Sequence, residues 1–217
     1  SGYDRVEFSK VSNLSPETAA SMASCVRSLS FPKLQRLSVE VLEALQTYQG
    51  DRVVLRVEPQ ISPEQAQAIA ALSVKELTLL GLKVLSEESA KALSSFAGKL
   101  ILDSLVRFDG PAATAFAGFK GITLKMPKIV YIDSQGVSAL AQLTSEGKLA
   151  TPLTHILPNF RTLTADDLTV LASVDEKFRR QALWDWSHFR ELSPAIVKEM
   201  PVGDIGGVRF GHLSHLD

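Results

Sequence analysis

Between Leu77 and Gly98 the chain reads LTLLGLKVLSEESAKALSSFAG, and its apolar residues change period partway along. Leu77 and Leu79 alternate, as in a half-buried strand, while Ala90, Leu93 and Ala97 recur at helical spacings of three and four. Ser86 is placed to accept an orphan N–H at a helix start. Glu87 and Glu88 fall in the positive first turn, and Gly98 stands where the chain is expected to leave the helix. The segment therefore predicts a strand, a corner and a short helix.

The same arrangement recurs. Nine-residue windows with apolar first, third, sixth and ninth places begin at Val6, Leu29, Val53, Leu77, Leu100, Leu124, His155, Trp184 and Val208. Apolar residues fill 34 of these 36 places, against about 16 expected at 45% hydrophobic content. The exceptions are Glu58 and His155. The tenth place holds Ser15, Ser38, Ser62, Ser86, Asp109, Asp133, Thr164, Ser193 or Asp217, every one an N-cap residue. Pro16, Pro63 and Pro194 follow at the first helical position, where a missing N–H does no harm.

A unit of this size cannot bury its own apolar face, so the period predicts stacked copies whose strands form one parallel sheet. The pattern L-x-L-x-x-L-x-x-L-[ST] resembles leucine-rich repeats, and FPKLQRLS, MPKIVYID and LPNFRTLT resemble the BspA-like variety of bacterial-type repeat. That resemblance implies a right-handed α/β solenoid of about nine coils, 23–31 residues each, with strands on a concave face and short helices on the convex side. It also implies a protein-binding or ligand-recognition module. The asparagine common after the strand in such repeats is missing, save at Asn159. Departures within the array have local meanings. Glu58 and Pro59 predict a bulge, and TSEGKLATPLT reads as an inserted polar loop after the sixth helix.

Composition narrows the function classes. Lys plus Arg is 23 and Asp plus Glu 24, a net charge of −1, so no field draws a polyanion, and nucleic acid is not expected as a partner. One cysteine, Cys25, gives neither a disulfide framework nor a zinc cluster. No membrane-length apolar run or signal peptide is present in this segment, and the compartment is left open; a cell-surface or periplasmic place would need a signal elsewhere. The unbroken repeat reads as a single unit over 3–217. Ser1–Gly2 reads as a cloning scar or processed end, and a ninth window that stops at its N-cap reads as an excerpt of a longer protein with flanking domains.

Strand alternation directs places one and three inward and places two, four and five outward. The expected contact surface is Val54, Arg56, Val57, Thr78, Leu80, Ile101, Asp103, Lys125, Lys128, Asn159, Asp185, Ser187, His188, Arg209 and His212. Within it Val54, Val57, Leu80 and Ile101 are expected to form a connected exposed apolar patch. Asp185, Ser187, His188 and His212 offer metal-ligand and nucleophile–base residue types, but stacked histidines follow automatically from the repeat, and no strained elbow presents the serine. Polar recognition is the expected role. No enzyme activity, cofactor or metal is expected, and an architectural spacer is the alternative to a binding module.

Overall fold

A computed structural model describes residues 5–22, 27–153 and 165–174 of the chain. Eight strands and seven helices lie within them. In chain order these are β1 (Val6–Glu7), α1 (Pro16–Met22), β2 (Ser28–Phe31), α2 (Val39–Leu45), β3 (Arg52–Arg56), α3 (Pro63–Ala70), β4 (Glu76–Leu80) and α4 (Glu87–Leu93). There follow β5 (Lys99–Leu102), β6 (Arg107–Phe108), α5 (Gly110–Ala117), β7 (Thr123–Lys125), β8 (Tyr131–Ile132), α6 (Ser134–Ser145) and α7 (Ala165–Val174). The protein is thus α/β, and its main sheet is parallel with order β1-β2-β3-β4-β5-β7.

Strand registry follows the repeat. Val6 pairs with Leu29, Leu29 with Val53, Val53 with Leu77, Leu77 with Leu100 and Leu100 with Leu124, which are the successive window starts. The physical reason is that a slip of one residue would turn every inward side chain to the other face. Leu29, Leu55, Leu77, Leu79, Leu100, Leu102, Leu124 and Met126 are fully buried, in one cluster with Leu42, Ile69, Leu93, Phe116 and Leu140 from the helices. At Glu58 the charged side chain does not fill the inward place, and the preceding residue does. Val57 joins the core, its N–H donates to Leu80 O at 2.8 Å, and Glu58 is left half-buried.

Each described helix starts directly after its expected cap. Ser15, Ser38, Ser62, Ser86 and Asp133 accept from the backbone N–H three residues on, and Ser62 closes a full capping box with Gln65. Asp109 differs. It makes no cap bond and pairs with Arg107, while Asp133 of the next unit accepts from Gly110 N at 2.8 Å and from its own Gly136 N at 2.8 Å. One carboxylate therefore serves two helix starts.

Several expectations are corrected. On the side away from Leu100, Leu124 bridges Leu149, in the stretch read as a loop; the window start at His155 lies outside the described residues. Leu124 N donates to Lys148 O at 2.7 Å and Ala150 N to Leu124 O at 2.8 Å. Part of the stretch read as an inserted loop therefore continues the sheet, because backbone hydrogen bonding selects a pairing that the apolar pattern does not reveal. Gly98 is not a helix exit, since α4 ends at Leu93 with Ser94 as its cap. A Cβ at Gly98 would lie 2.6 Å from Val74 O and 2.7 Å from Lys75 O, so the glycine permits close approach to the preceding unit. Places eight and nine also form a second ladder in two units, where β6 pairs in parallel with β8.

Candidate functional site

The outer face of the sheet is built in rows, because parallel pairing sets equivalent residues side by side at about 4.8 Å. The first row is Arg52, Glu76 and Lys99. Glu76 lies between two cations, 3.1 Å from Arg52 and 2.9 Å from Lys99. The second row runs Ser30, Val54, Thr78, Ile101 and Lys125. The third begins with Arg56 beside Leu80. Asp103 lies beyond it and pairs with Lys128 at 3.0 Å.

The expected contact residues divide sharply by exposure. Arg56, Lys125 and Lys128 are exposed, and Leu80, Ile101 and Asp103 are half-buried. Val54 is only 8% exposed and Thr78 only 7%, because flanking strands crowd their row. The hydroxyl of Thr78 is buried without a hydrogen-bond partner among the described residues. Val57, read as exposed, is a core residue for the reason given above. The connected patch of four apolar residues is therefore reduced to Leu80 and Ile101. Asn159, Asp185, Ser187, His188, Arg209 and His212 lie outside the described residues.

At the carboxyl ends of β2, β3 and β4 the face opens into a groove of about 650 Å³. Leu34 and Val57 supply its apolar lining, and Lys33, Arg56, Glu58 and Lys83 its charges. Pro59 O accepts from Lys83 N at 2.8 Å and from Val84 N at 3.1 Å, tying two units together beside the opening. Gly81 also lines the groove with φ +91°, and a Cβ there would lie 2.5 Å from Val57 O. Its N–H donates to Ser104 Oγ at 3.0 Å.

Lys33 stands at the outward fifth place of its window, whereas Glu58 and Lys83 are absent from the contact surface expected from sequence. One signal for them existed, since Glu58 is the sole charged residue at an inward place of the repeat windows up to Ile132. Among the described residues no group of three His, Cys, Asp or Glu side chains is arranged to hold a metal ion. No helix among them is long and apolar enough to cross a membrane. Comparisons with protein-family models, with curated proteins and with solved structures find no match to the chain.

Proposed function

We propose that the protein is a non-catalytic binding module, a right-handed solenoid of leucine-rich-repeat type that contacts a protein partner through the outer face of its sheet. The sequence windows at Trp184 and Val208, with Asp185, Ser187, His188, Arg209 and His212, lie outside the described residues. One observation carries the reading: Leu80 and Ile101 keep solvent exposure on a sheet face, bordered by exposed Arg56 and Lys125. An apolar centre with a polar rim is the usual anatomy of a protein interface.

The test is proximity labelling in the native host, comparing wild type with Leu80→Glu and Ile101→Lys. Both positions are partly exposed, so the variants should fold, which circular dichroism checks. Loss of the partners that wild type labels is the expected outcome. An unchanged set of labelled partners would overturn the contact face and leave the spacer role.

A further inference from the structure

We infer that the groove beside Glu58 binds an acidic peptide segment, with Lys33, Arg56 and Lys83 holding its carboxylates and Glu58 Oε2 accepting from one of its N–H groups. This rests on the binding-module reading but supplies a ligand class and a place beyond the sheet face.

Charge is the first argument. Arg52, Lys75, Lys99, Arg107, Lys128 and Lys148 each have an acidic partner within 4 Å. Lys33, Arg56 and Lys83 form no ion pair with any described residue, although they line one groove with a carboxylate. Three cations facing one cavity raise its positive potential and favour an anionic occupant.

The second argument is an orphaned acceptor. Glu58 Oε2 is buried and has no hydrogen-bond partner among the described residues. A buried acceptor left unpaired is costly, and a ligand that brings a donor relieves that cost. Inorganic phosphate is a poorer match, because it brings no N–H donor and no methylene groups to lie against Leu34 and Val57. A peptide carries backbone N–H donors and side-chain carboxylates together, which suits both parts of the groove. A volume of about 650 Å³ lies within the range of ordinary ligand sites, and Leu34 and Val57 offer apolar lining for methylene groups.

The experiment is fluorescence anisotropy of the full chain with a labelled, end-capped pentaglutamate peptide at low and high salt. Saturable binding that weakens with salt is expected, as for partly screened charge pairs. In the double variant Lys33→Gln/Lys83→Gln the affinity should fall about tenfold or more. Both residues are exposed, so the fold should survive. A backbone N-methylated pentaglutamate should bind several-fold more weakly, and equal binding would remove Glu58 from the site. Displacement by equimolar inorganic phosphate would overturn the choice of a peptide. No binding, or equal binding by the double variant, would overturn the site itself. Ile101→Lys, outside the groove lining, should not weaken pentaglutamate binding, so failure of the sheet-face reading is distinguishable from failure of the groove.

Discussion

Tyr48 is fully buried, and its hydroxyl has no hydrogen-bond partner among the described residues. It lies two residues before Gly50, as Phe96 lies before Gly98 and Phe119 before Gly121. In all three units the ring fills the space that a glycine Cβ would take, most tightly at Gly50, where the Tyr48 hydroxyl would be 2.0 Å from it. Tyr48→Phe therefore restores what two other units already contain. An unpaired buried hydroxyl costs about 1–3 kcal/mol in proteins, while removing one oxygen forfeits contacts of about 0.1–0.2 kcal/mol each. A net gain of about 1 kcal/mol is expected. Urea unfolding should show a midpoint raised by about 0.4 M with unchanged slope, and thermal unfolding a midpoint raised by about 2–4 °C. A loss of 1 kcal/mol or more would refute the reasoning, because it would mean that the hydroxyl makes a stabilising hydrogen bond.

Burial, with the nearby charge of Asp51 as a smaller cause, pushes the Tyr48 phenol up to about 12. An unfolded tyrosine titrates near 10, so between about pH 10 and 12 the unfolded chain binds fewer protons, and the stability present below pH 10 should fall as pH rises. Ultraviolet titration against Tyr48→Phe measures this, and a phenol at that position ionising near pH 10 would contradict it. Asp133→Ala should lose both helix-start bonds, about 2 kcal/mol by urea unfolding, whereas Ala at Asp109 should cost less because its carboxylate caps nothing. Gly98→Ala forces a Cβ against two backbone carbonyls and should destabilise by about 1–3 kcal/mol, a loss that thermal unfolding would reveal. Leu79→Ala removes about 2.4 kcal/mol of transfer free energy plus a cavity term, for about 3–4 kcal/mol in all, and a loss below 1 kcal/mol would mean that Leu79 faces outward.

What the sequence determined by itself is the unit and its stacking. Inward leucines, N-cap hydroxyls and prolines act within a few residues of one another, so their pattern carried over directly to Leu29 opposite Val53, Val53 opposite Leu77 and helices beginning after Ser38, Ser62 and Ser86. The break in the pattern at Glu58 was legible for the same reason, but the burial of Val57 in its stead was not. Tertiary structure alone decided whatever depends on a neighbouring unit. Leu149, which starts no apolar window, bridges Leu124 because hydrogen bonds to a neighbouring segment, not local periodicity, select the register. Gly98 is needed for the carbonyls of Val74 and Lys75, Asp103 is neutralised by Lys128, and Val54 and Thr78 are crowded by strands on either side. The groove of Lys33, Arg56, Glu58 and Lys83 likewise arises only when three units stand side by side, because its charges come from three successive units, at or just after the ends of β2, β3 and β4.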